Sequence, residues 1–84
     1  MKAKVVALSS NRNSFGLRGM VLVTSNGQGW EVAANNINER PVGSIFNVPQ
    51  DDAGEPIFAG LGFEIPRRLD PDPPAKLVKE AFAR

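Results

Sequence analysis

An Asn-Gly pair at residues 26 and 27, set between two apolar runs, constrains this chain more than any other feature of its sequence. This pair is typical of a two-residue type I′ turn, which needs a positive φ at both central residues. The pattern predicts a β-hairpin over residues 21–34 with Ser25 opposite Gln28, and with Trp30 in the core. The predicted apolar face consists of Val21, Val23, Trp30 and Val32.

Composition limits what surrounds this hairpin. The 84 residues are 42% hydrophobic and 23% charged, which is typical of one globular domain and too apolar for a disordered chain. The absence of cysteine excludes disulfides and fits a reducing compartment. The apolar run at residues 5–8 is too short for a signal peptide or a membrane span. We therefore expect a cytoplasmic domain with no membrane association.

Three further segments have the alternation of strands. Residues 2–8 form the first, with Lys2 and Lys4 on one face and Ala3, Val5 and Ala7 on the other. Prolines bracket the other two, at residues 42–48 and 57–65, and turn-forming residues at 50–55 predict a hairpin between them. The last segment has the clearest period of two. Its predicted inner face comprises Ile57, Ala59, Leu61, Phe63 and Ile65.

Two predictions concern single side chains in this part of the sequence. Phe58 lies on the glycine-containing face of the last strand and is expected to be exposed or to cover a partner. Ile37 is the one apolar residue in the polar loop at 35–39 and is expected to pack inward.

The C-terminal segment changes character after residue 69. Two aspartates alternate with prolines at residues 70–74, and Asp72 is predicted to cap a helix that runs to Arg84. The apolar stripe of this helix comprises Leu77, Val78, Ala81 and Phe82. The predicted class is mainly β, a small five-stranded half-open barrel of the SH3-like or OB-like kind with a short C-terminal α-helix. Residues 1–69 form the barrel, and residues 70–84 form a proline-rich connection and an amphipathic helix of the same domain.

The sequence lacks the usual equipment of an enzyme. Histidine, cysteine and tyrosine are absent, which removes the commonest general base and the soft metal ligands. The acidic group at residues 51–55 does not match a calcium loop, and the glycines at 16–19 and 26–29 do not match phosphate-binding loops. We expect no enzymatic activity, no metal and no cofactor.

Basic residues near the predicted strand ends give the first functional hypothesis. In a small barrel these ends lie close together, so the cations can track phosphates while an exposed ring stacks under a base, as in modules for single-stranded DNA or RNA. The candidate nucleic-acid-binding residues are Lys2, Lys4, Arg12, Phe15, Arg18, Phe58, Arg67 and Arg68. The net charge of +1 also fits the alternative that these are scattered solubilising charges.

A second hypothesis assigns the domain to protein–protein interaction or self-association as a homodimer. An unpaired strand edge invites pairing with another chain, and Phe58 and the helix at residues 75–84 add apolar surface. The oligomeric state separates the two hypotheses.

Overall fold

The computed structural model describes residues 1–83, which form five strands, one 3₁₀ turn and one short α-helix. The elements are β1 (Lys2–Leu8), β2 (Arg18–Thr24), β3 (Gly29–Ala34), β4 (Ile45–Asn47), β5 (Glu64–Arg68) and α1 (Ala75–Ala81). The strands make a single antiparallel sheet of order β4-β1-β2-β3-β5. The predicted class is confirmed, and the sheet is open between β4 and β5, as a half-open barrel requires. No helix within residues 1–83 is long and apolar enough to span a membrane.

The β2–β3 hairpin forms, but its register differs by one residue from the prediction. Trp30 pairs with Leu22 instead of Val23. The loop has three residues, since the Gly27 amide donates to the Thr24 carbonyl at 3.0 Å and the Thr24 amide donates to the Gln28 carbonyl at 2.9 Å. Of these loop residues only Gly27 has a positive φ, at 90°. The turn is therefore of type I followed by a left-handed glycine, and the predicted type I′ turn is wrong.

This register decides which face of the hairpin is buried, because a slip of one residue exchanges the two faces of a strand. Met20, Leu22 and Val32 lie in the core, whereas Val21 is only half-buried. Trp30 packs against the core as predicted. The core consists of Ala3, Val5, Met20, Leu22, Val32, Ala34, Val48, Phe58 and Phe63.

Strand β1 has the predicted bounds, and Ala3 and Val5 are buried as expected. A bulge between Val5 and Ala7 then shifts its register against β2. Because a bulge inserts one unpaired residue, the side chains beyond it change face. Ala7 is therefore exposed, contrary to the prediction, and Leu8 packs against the core.

The predicted strand at residues 57–65 is absent from the described structure. A 3₁₀ turn at Ala59–Leu61 ends at Gly62, whose φ is 76°, and β5 begins only at Glu64. The chain reverses here because Phe58 and Phe63 both enter the core. Phe58 is 3% exposed and meets Trp30 edge to face, with ring centroids 5.3 Å apart. The prediction of an exposed Phe58 is therefore wrong, as is the buried position predicted for Ile57 and Ile65.

Two loops show how local hydrogen bonds direct side chains. The reversal at residues 50–55 forms, with the Asp51 amide donating to the Glu55 carbonyl at 2.9 Å, but only an isolated bridge between Gln50 and Pro56 flanks it. In the loop at residues 35–39, the Asn35 side chain accepts hydrogen bonds from the amides of Ile37 and Asn38. This turn projects Ile37 into solvent, where it is 84% exposed, so its predicted inward packing is wrong.

The C-terminal helix α1 packs against β2 on the face of the sheet opposite the core. Gly29 pairs with Val23, and a Cβ placed on Gly29 would lie 3.4 Å from the Pro73 ring. The segment leading to α1 thus covers this face, which explains why Val23 is buried outside the core cluster. Asp72 does not cap the helix but accepts hydrogen bonds from Arg68. Arg84, predicted at the helix end, lies outside the described residues.

Candidate functional site

The predicted site residues do not form one surface but lie in three separate groups, with Phe58 outside all of them. Two further strands, β2 and β3, lie between β1 and β5, so the lysines of β1 are far from the arginines of β5. The pairing of Ala3 with Thr24 and of Leu8 with Met20 puts Lys2 and Arg18 at opposite ends of the β1–β2 pair. The three groups are Lys2 and Lys4; Arg67 and Arg68; and Arg12, Phe15 and Arg18. Phe58 belongs to none of them because its ring is in the core.

The two arginines of β5 are neutralised by neighbouring carboxylates. Arg67 Nη2 lies 2.9 Å from Glu31 Oε1, and Arg68 Nη2 lies 2.9 Å from Asp72 Oδ1. Exposed pairs of this kind contribute about 0–1 kcal/mol, because water and salt screen them. Because each of these guanidinium groups has a carboxylate beside it, this edge of the sheet carries little net positive charge.

A different arrangement exists where the loops at residues 9–17 and 35–41 meet, a surface that we call the loop end. Here one carboxylate, that of Glu39, faces two guanidinium groups. Arg12 Nη2 donates to Glu39 Oε1 at 2.6 Å, and Arg18 Nε lies 3.6 Å from Glu39 Oε2. Arg12 Nη1 also donates to the Gly16 carbonyl at 3.1 Å. The ion pairs thus join the two loops to each other and to the start of β2.

A third arginine, Arg40, completes the cluster. A groove of about 340 Å³ is lined by Leu8, Arg18, Asn36, Glu39, Arg40 and Pro41. The Arg40 guanidinium lies 4.5 Å from the centroid of the Phe46 ring, which is a cation–π contact. With Arg12, Arg18 and Arg40 around the single carboxylate of Glu39, the loop end has two positive charges in excess.

The groove also contains polar atoms that are buried without a partner. Arg18 Nε, Arg40 Nε and Glu39 Oε2 make no hydrogen bond within the described residues. Arg18 Nε and Glu39 Oε2 are nearest to each other, but their separation of 3.6 Å is too long for a hydrogen bond. A buried donor without an acceptor costs about 1–3 kcal/mol, so such atoms mark a place that a water molecule or a ligand group can satisfy. We take the groove as the candidate functional site.

An exposed aromatic ring belongs to the loop at residues 9–17, which also carries Arg12. Phe15 is 83% exposed and lies in a turn in which Asn13 Oδ1 accepts hydrogen bonds from the amides of Phe15 and Leu17. Gly16, the residue after Phe15, supplies the carbonyl that Arg12 binds. This turn therefore presents the ring to solvent, next to the residue whose carbonyl binds the Arg12 guanidinium.

Sequence reasoning found Arg12, Phe15 and Arg18 but missed Glu39, Arg40 and the exposed Ile37. The Arg12–Glu39 contact joins residues 27 positions apart, and no periodicity in the sequence places those two loops together. One sequence signal could have pointed to Glu39 and Arg40: they are a charged pair directly before Pro41, where the loop ends.

Together these features define a class: a small open β-sheet domain with a helix on one face and a basic, partly apolar loop end. Within residues 1–83 no group of three or more acidic, histidine or cysteine side chains is placed to hold a metal ion. The chain matches no protein-family model, no curated protein and no solved structure.

Proposed function

We propose that this protein is a non-enzymatic binding module whose loop end holds single-stranded nucleic acid. The observation that supports this most is an exposed ring, Phe15, in the same loop as Arg12, together with an arginine cluster that has positive charge in excess. Guanidinium groups bind phosphates, and an exposed ring stacks with a base of any sequence. A cytoplasmic location is part of the proposal.

The proposed interface is narrower than the set predicted from the sequence. It keeps Arg12, Phe15 and Arg18 and adds Arg40 from the neighbouring loop. Lys2 and Lys4 lie at the other end of β1, and the arginines of β5 are paired with carboxylates, so we leave them out. A footprint of this size accommodates only a few nucleotides, which favours a flexible single strand over a duplex.

The first test is fluorescence anisotropy with a labelled oligothymidine of about 15 nucleotides at about 50 mM salt. We expect micromolar or tighter binding that weakens as the salt concentration rises, because each phosphate contact releases a counterion. No binding under these conditions would refute the proposal.

Two matched pairs of variants localise the binding. Phe15→Ala removes an exposed ring without affecting the core and should weaken binding about 5- to 150-fold, as expected for one lost base stack. Leu77→Ala, a truncation of a partly exposed side chain on α1, should leave the affinity unchanged. Arg18→Gln should weaken binding more than Lys76→Gln, although both remove one charge. Equal effects within each pair would place the interface elsewhere.

Self-association is the second candidate, and the free edge at β4 favours it. Met1 and Val48 donate backbone hydrogen bonds to each other. In an antiparallel pair, residues that bond to the neighbouring strand alternate with residues whose backbone groups point away from it. The N–H and C=O groups of Ile45 and Asn47 therefore point away from β1. The Ile45 side chain is itself exposed. The opposite edge contains Pro66, which has no N–H to donate, and α1 is packed against β2. A second copy would therefore pair through β4.

Sedimentation velocity and light scattering test this candidate. If β4 pairs with its counterpart in a second copy, the wild-type protein should be a dimer and Asn47→Pro should be a monomer. Proline removes an outward N–H and is tolerated at an edge position that does not donate to β1. Asn47→Ala keeps that N–H and should remain dimeric. A wild-type protein that is monomeric up to millimolar concentration would exclude the candidate.

A further inference from the structure

Glu39 has the contacts that a bound phosphate would have. Its two carboxylate oxygens face different guanidinium groups, Oε1 that of Arg12 at 2.6 Å and Oε2 that of Arg18 at 3.6 Å. Its side chain is only 20% exposed, and it lines the groove beside Arg40. A phosphate presents oxygens to paired arginines in the same way, with the same charge or more.

We propose that Glu39 occupies the position of a ligand phosphate in the free protein, and that binding exchanges this carboxylate for a phosphate group. The phosphate then lies among Arg12, Arg18 and Arg40. This inference rests on the proposed function, since it names the anion subsite within the same loop end.

The unsatisfied donors in the groove supply the reason for the exchange. With Glu39 in place, Arg18 Nε and Arg40 Nε have no hydrogen-bond acceptor, and two positive charges remain in excess. A phosphate offers these donors more acceptor oxygens than a carboxylate does. Its negative charge also offsets the positive charge of the arginines. Unmade hydrogen bonds in the free protein are thereby made in the complex.

The exchange also explains how the site would discriminate among anions. A ligand has to displace a carboxylate that already binds two arginines, so weakly charged groups compete poorly with it. Displacement breaks the Arg12–Glu39 bond that joins the loops at residues 9–17 and 35–41. Glu39 thus lowers the affinity for every anion and favours those with several charged oxygens.

The decisive variant is Glu39→Gln, which keeps the shape of the side chain and one acceptor oxygen but removes the competing charge. We expect it to bind the oligothymidine at least about fivefold more tightly than the wild type, and with a salt dependence steeper by about one unit of slope. Glu80→Gln is the matched control. It makes the same change in net charge on an exposed position of α1, a helix that lies beside the hairpin tip at the other end of the sheet, and it should alter the affinity less than about twofold.

A second arm uses inorganic phosphate, followed by NMR of the backbone amides of residues 36–40. Tighter phosphate binding by Glu39→Gln than by the wild type or Glu80→Gln supports the exchange, even if no variant binds the oligonucleotide. In that case the proposed function fails and the anion subsite stands. If Glu39 only holds the two loops together, Glu39→Gln will bind both probes no more tightly than Glu80→Gln. That result would overturn the inference.

Discussion

Replacing Phe58 with alanine should lower the free energy of unfolding by about 3–5 kcal/mol. The ring is 3% exposed and lies against Trp30 and Phe63, with centroid distances of 5.3 Å and 6.3 Å. Truncation removes its buried apolar area and leaves a cavity between the 3₁₀ turn and the sheet, which cannot collapse fully. Domains of this kind have a total stability of about 5–15 kcal/mol, so the loss is at least about a fifth of the whole and the midpoint of unfolding will fall markedly.

Urea unfolding followed by circular dichroism and by Trp30 fluorescence measures this loss. Phe15→Ala is the matched control, because it removes the same ring from a site that is 83% exposed and should change the stability by less than about 0.5 kcal/mol. Sequence reasoning gives the opposite expectation for Phe58, a loss of ligand stacking with the fold intact. A Phe58→Ala protein as stable as the wild type would therefore favour the sequence interpretation over the structure.

Replacing Gly62 with alanine should cost about 1–3 kcal/mol of stability for two separate reasons. Gly62 ends the 3₁₀ turn with a φ of 76°, a left-handed conformation that strains any residue with a Cβ. That Cβ would also lie 2.3 Å from the Asn38 side-chain amide, so Asn38 has to move. Gly60→Ala is the control, since Gly60 has no positive φ and no neighbour near the added methyl, and it should be neutral.

A double variant separates these two contributions. In Asn38→Ala/Gly62→Ala the steric conflict is gone and only the backbone strain remains, so the second substitution should cost less than it does with Asn38 present. Additive costs in the four-protein cycle would show that Asn38 does not approach Gly62. Thermal and urea unfolding of the same four proteins provide the comparison.

Local chemistry was sufficient to predict several elements from the sequence. Strand β1 has the predicted bounds because Ala3 and Val5 alternate with Lys2 and Lys4. The reversal at Asn26-Gly27 and the helix after Pro74 also form as short-range signals indicate. These features depend on residues only a few positions apart, and single-sequence patterns carry that information well.

The hairpin register is a feature that short-range signals do not determine. An Asn-Gly pair suits both a two-residue type I′ loop and a three-residue loop in which only the glycine is left-handed. The two loops differ by one residue of register, and the buried face decides between them. Burial of Met20 and Leu22 in the core selects the second loop, and that core includes residues 48, 58 and 63, far along the chain.

The loop end required the tertiary structure for the same reason. Arg12 and Arg18 are visible as candidates in the sequence, but Glu39 and Arg40 reach them only because two loops meet at one end of the sheet. The sequence by itself determined β1, the reversal at Asn26-Gly27 and the C-terminal helix, since each of these depends on neighbouring residues. Only the tertiary structure decided which faces are buried, that Phe58 is in the core, and that arginines surround a carboxylate, because contacts between distant segments set burial and charge environment.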